Sequence, residues 1–473
     1  MSKKKEKIMP FFKYIVFTMI VISIITLSLF KFIDILPGEY FLILTIFLAL
    51  ITFTLALLVL AKKSVKKRVV GTIISIIYII FLILVIIYEL NTIGFLKKIG
   101  FKNFKTENYS VLVLKNSDFV NITDLNTKNI GSLALTNEGL KSASEKIKNK
   151  IECKIELYDK IEDLKKSFIN EEIEAMLIED SILNIIIEND GEFASSYKSI
   201  YKFSLDVETE DIAHEVNITN TPFNIYISGI DTYGTVSSVS RSDVNMVITV
   251  NPNTHKILIT SIPRDYYVEL YNTNSKDKLT HAGIYGIETS VKTIENLLGT
   301  KINYYVKVNF SSVIKVVDAL NGVNVYSKHK FISQDGYSYN VGYNYVDGEK
   351  ALSFVRERKS FIGGDRVRVE NQAALIKALI DKAVSPSIIT NYSSLLTALS
   401  DLFITNLDTN SITEFIKMQV SDMPSWEIDN YSLDGTDAYD YTYSFGSTKL
   451  YVMNPDIDTV INAKNKINAL YTN

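Results

Sequence analysis

The chain has 473 residues, a net charge of −3 from 50 basic and 53 acidic side chains, and a mean hydropathy of +0.13. This length allows two or more domains, and the near-neutral charge argues against the broad basic surface of a nucleic-acid-binding protein. The single cysteine, Cys153, excludes an intramolecular disulfide. A large domain can build its core without disulfides, so this cysteine count is compatible with an extracellular location.

Three apolar runs account for the high hydropathy, at residues 11–33, 41–61 and 69–88. Each approaches the roughly 20 residues that a membrane-spanning helix needs. Basic residues precede the first run and separate the second from the third, whereas the loop after the first run carries only acidic charge. The positive-inside rule therefore predicts a cytoplasmic N-terminus and an outward location for residues from about 91 onward. The first run is too long for a cleavable signal peptide, and no small-residue cleavage site follows it. Residues 1–90 are thus predicted to be a membrane region.

Residues 105–205 alternate between short apolar runs and amphipathic segments. Strands are predicted at residues 111–114, 130–135, 151–157 and 175–178, and helices at residues 138–150, 160–169 and 181–189. This order is typical of a small α/β domain. The domain has no glycine-rich turn and no convergent acids and bases, so a spacer or protein-contact role is the plainer interpretation. The acidic run at residues 206–215 predicts a solvated linker or helix, and the next domain is placed at residues 215–473.

Residues 224–265 contain the strongest functional pattern in the chain. Strands are predicted at residues 225–230, 244–250 and 257–262, and charges gather just past the strand ends. These charged residues are Asp231, Arg241, Asp243, Arg264 and Asp265. Carboxylates hold a hard cation and guanidiniums hold phosphate oxygens, so the mixture suits a metal-bridged diphosphate. Ordinary salt bridges at strand ends would explain the same residues equally well.

A second charged stretch follows at residues 356–372, after a predicted helix at 288–298, a strand at 304–308, a helix at 310–320 and a strand at 323–326. Arg356 and Arg358 are expected in extended backbone before the turn at residues 363–364. Asp365 is predicted to cap a helix that ends near residue 384. Asp365, Arg368 and Gln372 would share one face of that helix. Its N-terminus favours anions, although a solvated helix face is the alternative.

The apolar face of the same helix is expected to pack on the sheet. It consists of Val369, Ala373, Ile376 and Ile380. Other site chemistries lack local support. The four histidines show no metal-ligand spacing, and the chain contains no HExxH, GxxxxGK or GxSxG motif. Zinc hydrolases, P-loop kinases and serine hydrolases are therefore not indicated.

Together these spaced motifs resemble the LytR–CpsA–Psr family over residues 215–473. The resemblance rests on Asp231, on SRSD at residues 240–243, on SIPRD at 261–265, on KLTHAGIYG at 278–286 and on the second charged stretch. It implies an α/β/α sandwich with an apolar tunnel for a prenyl chain. Three N-terminal spans and a small α/β accessory domain resemble the capsule-associated branch. Members are membrane-anchored, Mg²⁺-dependent phosphotransferases that move a teichoic acid-like or capsule-like glycopolymer from undecaprenyl diphosphate onto peptidoglycan.

The resemblance also implies roles for individual residues. Asp231 and Asp243 match the Mg²⁺-site acids, and Asp265 and Asp365 match acids that orient arginines or assist the chemistry. The diphosphate-binding set corresponds to Arg241, Arg264, Arg356, Arg358, Arg368 and Gln372. Arg264, Asp265 and Asp365 are the predicted catalytic residues. Either acid is a candidate proton acceptor, but neighbouring arginines make both poor bases, so orienting an arginine is an equal alternative.

The expected partners are a polyprenyl-diphosphate-linked glycopolymer, peptidoglycan and the membrane, and no nucleic acid. The alternatives are a prenyl diphosphate hydrolase with water as the acceptor and a non-catalytic envelope lipid- or glycan-binding protein. A transcriptional regulator is disfavoured, because the charged domain would lie across the membrane from DNA. No helix-turn-helix with a basic recognition helix is evident in the sequence.

Overall fold

The structure is a computed structural model, and it describes most of the chain. The described residues are 2–61, 64–98, 104–134, 138–208, 212–230, 239–385, 403–446 and 448–472. Asp231 lies outside them. The chain forms an N-terminal group of three helices, a small mixed sheet and a larger mixed sheet with helices on both faces.

The three N-terminal helices are α1 (Ser2–Ile33), α2 (Gly38–Val59) and α3 (Val65–Lys98). Each contains a stretch long and apolar enough to cross a membrane, as predicted. Many of their large apolar side chains are exposed, which fits a lipid surrounding rather than water. One hydroxyl from each helix joins them, since Ser23 Oγ lies 3.2 Å from both Thr52 Oγ1 and Tyr78 Oη. Such hydroxyl contacts are a usual means of association between membrane helices.

The small sheet has the order β3-β2-β4-β1-β5 and is covered by helices on both faces. Its elements are β1 (Phe104–Leu114), β2 (Asn129–Leu133), α4 (Glu138–Lys148), β3 (Lys154–Tyr158), α5 (Ile161–Ile169), β4 (Ala175–Glu179), α6 (Asp180–Asn189), α7 (Phe193–Ser196) and β5 (Tyr197–Glu208). We call this the accessory unit. The predicted small α/β domain is therefore present, with element ends shifted by a few residues.

The strand β5 corrects one sequence expectation. The start of the acidic run, predicted to be linker or helix, is the end of this strand, which pairs antiparallel with the whole of β1. Thr106 Oγ1 donates to Asp206 Oδ1 at 2.9 Å across that pair. Alternation of apolar residues at 201, 203, 205 and 207 with polar ones between them is the period of a half-buried strand. The acidic composition concealed that signal.

The larger sheet has the order β16-β11-β6-β7-β8-β17. Its strands are β6 (Phe223–Ile230), β7 (Val244–Asn251), β8 (Lys256–Ile262), β11 (Tyr304–Asn309), β16 (Phe403–Thr405) and β17 (Glu427–Ser432). Short hairpins surround it, formed by β9 (Tyr267–Glu269), β10 (Lys276–Lys278), β12 (Val323–Ser327), β13 (Phe331–Ile332), β14 (Ser338–Tyr339), β15 (Gly342–Val346), β18 (Gly435–Asp440) and β19 (Leu450–Pro455). The three strands predicted within residues 224–265 are confirmed.

Helices cover both faces of this sheet and make a three-layer α/β/α sandwich, as predicted. They are α8 (Leu279–Ala282), α9 (Ile287–Leu298), α10 (Phe310–Ala319), α11 (Gly348–Arg356), α12 (Asp365–Ala383), α13 (Thr409–Asp422) and α14 (Ile457–Thr472). On one face α9 and α14 pack over Tyr226 and Val247. On the other face α12 and α13 pack through Ala373 and Phe415. The predicted apolar face of α12 does lie against the sheet.

Strand direction explains why the charged residues meet. Gly229 near the end of β6 pairs with Val244 at the start of β7, and Asn245 pairs with Ile262 at the end of β8. Asn309 ends β11 beside Ile230. Chain segments that follow β6, precede β7 and follow β8 therefore emerge at one edge of the sheet. Arg241, Asp243 and Arg264 are brought to that edge although Arg264 lies 23 positions after Arg241 in the sequence.

Candidate diphosphate site

A cavity of about 360 Å³ opens at this edge of the sheet. Six cationic and three anionic side chains line it, with an apolar wall behind them. The cations are Arg241, Arg264, Arg356, Arg358, Lys359 and Arg368, and the anions are Asp243, Asp335 and Glu357. The apolar wall comprises Ile230, Val244, Val308, Phe310, Val313 and Val355, and Gln372 also lines the cavity. The surplus of positive charge suits a multiply charged anion.

Arg264 lies close to three carboxylates. Its Nη1 donates to Asp243 Oδ1 at 2.5 Å, and its Nε lies 3.5 Å from Asp265 Oδ2 and 3.9 Å from Asp365 Oδ1. Burial alone would raise the pKa of Asp243, but the charges of Arg264 and Arg241 outweigh burial and hold that pKa below its ordinary value. Asp243 is therefore an ionised carboxylate at neutral pH.

Arg368 on α12 is a buried arginine of the cavity. Its side chain is 9% exposed and forms an ion pair with Asp365. Burial and the nearby charge of Arg264 lower the pKa of Arg368. Its Nε has no hydrogen-bond partner among the described residues. A buried, unpaired donor beside a second guanidinium is costly unless an anion binds there.

The segment KLTHAGIYG holds the two arginine-bearing segments together. Ser242 N donates to Thr280 O at 3.0 Å, and Thr280 N donates to Arg264 O at 2.8 Å. Gly283 lies so close to the preceding loop that a Cβ there would meet Ser240 O at 2.6 Å. Only glycine fits this approach without moving the backbone. The segment therefore positions Arg241, Asp243 and Arg264 without lining the cavity.

Ser242, between Arg241 and Asp243, is held by hydrogen bonds to buried side chains of the sheet. Its Oγ lies 2.8 Å from Ser228 Oγ and 3.1 Å from Tyr226 Oη, while Asn245 Nδ2 donates to Ser242 O at 2.9 Å. All four side chains are buried. This polar network sets the direction in which the flanking charged side chains leave the sheet edge.

Two predictions about the second charged stretch were wrong in detail. Arg356 is the last residue of α11 rather than part of an extended segment, and its guanidinium lies 4.5 Å from the centroid of the Phe310 ring. Asp365 is the first residue of α12 and not its cap, a position held by Gly364 with φ of 44°. Asp365 is thereby free to turn toward Arg368 and Arg264. Apolar residues 351–355 on α11 carried the helical signal that the R-x-R spacing obscured.

The predicted site residues thus divide by position. The six predicted diphosphate-binding residues and Asp243 line one cavity, whereas Asp265 and Asp365 contact Arg264 from outside its lining. Sequence reasoning missed Lys278, which lies 3.2 Å from Asp265, and it missed Asp335 and Lys359 in the lining. Asp335 lies in a hairpin with no recognisable motif, so no sequence signal indicated it.

Comparison with known proteins places the chain in a family. The model of the LytR_cpsA_psr family matches residues 191–467, more than half of the chain. The chain belongs to this family. It is 38% identical over 197 residues to an Enterococcus faecalis polyisoprenyl-teichoic acid–peptidoglycan teichoic acid transferase TagU, with 41% of this chain and 64% of that protein covered. It is 33% identical over 245 residues to the Bacillus anthracis TagU, with 50% and 80% covered.

Solved structures match slightly more than half of the chain. The B. subtilis TagV crystal structure is 29% identical, with 54% of this chain and 98% of that chain covered and a TM-score of 0.46. A structure of TagT bound to LI-WTA is 26% identical, with 56% and 95% covered and a TM-score of 0.45. Because the chain spans 64% of the Enterococcus faecalis relative, the activity of that protein is not carried over to this chain by the match itself.

Proposed function

We propose that this protein transfers a glycopolymer phosphate from a polyprenyl diphosphate carrier onto a hydroxyl of peptidoglycan. The observation that carries the proposal is the cavity, in which six cations meet three anions and the guanidinium of Arg368 is buried. The names of the relatives support the reaction class, since both TagU proteins are teichoic acid transferases. An undecaprenyl carrier and a teichoic acid-like or capsule-like cargo are the substrates we expect.

In this reaction the acceptor hydroxyl oxygen attacks the phosphorus that bears the glycan. A new P–O bond forms to peptidoglycan, the bond to the bridging oxygen breaks, and prenyl monophosphate leaves with that electron pair. The arginines that line the cavity neutralise the charge that develops on the leaving phosphate. Preorganised charges of this kind supply most of the catalysis in phosphoryl transfer.

The hydroxyl proton needs an acceptor at the cavity. Asp243 is engaged by Arg264, and Glu357 accepts backbone hydrogen bonds from Gln334 and Ser360 at 2.7 and 2.9 Å. Asp335 lies at the exposed rim and is the acceptor we favour. Asp265 and Asp365 act on Arg264 instead, which supports the orienting role over the role of base.

A Mg²⁺ ion is part of the proposal. Asp243 fits such an ion because it is ionised, lines the cavity and carries a hard oxygen donor. Asp231, the predicted second ligand, lies outside the described residues. Among the described residues, no three His, Cys, Asp or Glu side chains cluster into a metal site. Phosphate oxygens of the substrate would therefore complete the coordination, and the ion would add positive charge beside the leaving phosphate.

The apolar wall of the cavity offers a path for the prenyl chain. Val308, Phe310 and Val313 line the same cavity as the charged side chains, so the diphosphate can bind the charged groups while the lipid contacts these apolar ones. Each buried CH₂ contributes roughly 0.8 kcal/mol, so a long chain would dominate the affinity. A tunnel that continues from this apolar wall stays a prediction.

The proposal places both α/β units outside the cell membrane, with residues 62–68 in the cytoplasm. The test uses a Cys153→Ser background and a membrane-impermeant thiol reagent on intact cells. Ser275→Cys is expected to be labelled and Lys66→Cys is not. Labelling at 66 without labelling at 275 would contradict this orientation.

Product analysis of the purified full chain tests the function itself. A lipid-linked glycan is supplied with and without peptidoglycan fragments, and both glycan and lipid products are followed. Transfer predicts a glycan–phosphate–peptidoglycan product and prenyl monophosphate only when the acceptor is present. Equal release of lipid phosphate without acceptor would indicate a hydrolase, and tight binding without products would indicate a binding protein.

A further inference from the structure

A second concave surface lies on the other flank of α12, away from the diphosphate cavity. It has a volume of about 420 Å³ and is bounded by β12, β15, α12 and the end of β17. We call it the tyrosine groove. Its three rings are Tyr326, Tyr343 and Tyr431, and its polar lining includes Asn324, Asn430, Ser432, Lys328, Lys377, Glu370 and Asp381. No residue of the groove belongs to the cavity lining.

Two of these rings are presented to solvent by the strand pair β12–β15. Tyr326 pairs with Tyr343 in the antiparallel register, and their ring centroids lie 5.3 Å apart at an interplanar angle of 79°. Tyr326 is 50% exposed and Tyr343 is 77% exposed. The opposite faces of these strands bury Val325 and Val346 in the core, so the tyrosines are not needed there. Exposed rings at the mouth of a polar groove are typical of a binding surface.

The groove differs from the cavity in its balance of charge. Lys328 and Lys377 are balanced by Glu370 and Asp381, and Lys328 Nζ lies 3.1 Å from Glu370 Oε1. A polyanion or a diphosphate therefore gains little here. The amides of Asn324 and Asn430 each supply both donors and acceptors. Rings that contact the C–H face of a sugar, beside groups that bond its hydroxyls, suit an uncharged glycan.

The helix α12 relates the two sites. Arg368 faces the cavity, and Lys377 faces the groove. Nine residues of one α-helix separate them, which is about 14 Å along the axis. A glycan strand held in the groove can therefore extend toward the cavity within a few sugar units.

We propose that the tyrosine groove binds the glycan strand of the acceptor, an uncharged chain of N-acetylated amino sugars. That the glycan is the acceptor rests on the proposed transferase function, whereas glycan binding in the groove does not. Binding in the groove holds the strand while one of its hydroxyls enters the cavity, so the groove acts on the affinity for the acceptor and not on the lipid carrier.

The test measures binding of an N-acetylglucosamine tetramer to the full chain in detergent, by calorimetry. Tyr343→Ala is expected to weaken binding at least tenfold. Tyr345→Ala is the matched control, since Tyr345 lies two residues away on the same exposed strand face, is 61% exposed and does not line the groove. Asn430→Ala, on a different element, is expected to weaken binding by a smaller factor. Unaltered binding in Tyr343→Ala, equal weakening in Tyr345→Ala, or no binding by the unmodified protein would overturn the proposal.

A transfer assay then separates this inference from the proposed function. Tyr343→Ala should raise KM for the peptidoglycan fragment at least tenfold while kcat and KM for the lipid-linked glycan stay within twofold. If transfer fails in the unmodified protein but the tetramer binds as described, the proposed function fails and glycan binding stands. If transfer proceeds with an unchanged acceptor KM in Tyr343→Ala, the groove proposal fails and the transferase stands.

Discussion

The diphosphate cavity and the accessory unit both bury charged side chains, with opposite consequences. In the cavity, Asp243 is buried against Arg264 and the pKa of Asp243 falls. In the accessory unit, burial and the nearby Glu107 raise the pKa of Glu179 to about 8. Glu107 already accepts from Tyr109 Oη and pairs with Lys105, both at 2.7 Å. The charged side chains of the cavity open to solvent with surplus positive charge, whereas those around Glu179 pair with one another.

This difference teaches that burial of charge does not by itself mark a functional site. What distinguishes the cavity is that a buried donor, Arg368 Nε, faces an open volume without a protein partner among the described residues. The accessory unit instead closes against the larger unit, where Thr106 O accepts from Val239 N at 3.0 Å. Ile284 and Phe445 of the larger unit also pack among its apolar residues. These contacts are compatible with the predicted spacer or protein-contact role, which stays a prediction.

The largest effect is expected from Arg264→Ala. This change leaves the buried Asp243 without the guanidinium that pairs with it, and removing one partner of a buried pair costs about 3–5 kcal/mol. Activity should fall below detection, and the larger unit should unfold at a lower temperature. Unfolding is followed by circular dichroism and transfer by the product assay. Normal stability would show that the pair is not buried as described.

Divalent-ion dependence is the next largest effect. Excess chelator should abolish transfer, and added Mg²⁺ should restore it, because in the proposed site Asp243 and the substrate phosphates would hold the ion. Asp243→Asn should raise the Mg²⁺ concentration needed for half-maximal activity. Asp335→Asn, in the same cavity, should lower kcat without shifting that concentration. Full activity in chelator would remove the ion from the proposal.

Lysine substitutions test more gently whether the arginines of the cavity hold the diphosphate through paired hydrogen bonds, an arrangement we call the clamp. Arg264→Lys and Arg356→Lys keep the charge but lose the two-pronged geometry of the guanidinium. The loss of one charge-assisted bond is about 1.5–3 kcal/mol, which lowers kcat/KM by roughly ten- to a hundredfold. Arg366→Lys is the matched control, because Arg366 also lies on α12 but pairs with Asp434 and Asp437 outside the cavity. Equal effects at all three positions would contradict a clamp.

The smallest effect concerns the accessory unit and its pH dependence. Glu179 has a pKa raised from 4.5 to about 8, so the folded state holds a proton that the unfolded state releases between these values. The stability that this bound proton contributes is fully present below pH 4.5 and is lost as the pH rises toward 8. Glu179→Gln should therefore stabilise the protein at pH 8 by roughly 1–3 kcal/mol and change little at pH 4.5. Transfer activity should be unchanged.

Thermal unfolding of the full chain at both pH values measures this effect. Glu152→Gln is the control, because Glu152 is an exposed carboxylate of the same unit. A gain in stability that is equal at both pH values, or equal in the control, would show that burial of Glu179 is not its cause.

Hydrophobic runs and strand-end positions predicted the membrane helices and the meeting of Arg241, Asp243 and Arg264, because these features are fixed locally. The sandwich was implied by the family resemblance. The sequence left open whether Asp265 and Asp365 orient an arginine or accept the proton. Their side-chain directions depend on Arg264, which is far from Asp365 in sequence. It also missed the helical setting of Arg356, since a two-residue spacing suits an extended chain as well as the end of a helix. The tyrosine groove joins β12, β15, α12 and β17, and no single stretch signals it.

The most direct measurement is a crystal structure of the full chain with a short-chain prenyl diphosphate and Mg²⁺. The account predicts that diphosphate oxygens contact Arg264, Arg356 and Arg368, that Mg²⁺ lies between Asp243 and the phosphates, and that the prenyl chain runs along Val308 and Phe310. A diphosphate bound elsewhere, with the ion pair of Arg264 and Asp243 unchanged and the cavity filled by water, would contradict it.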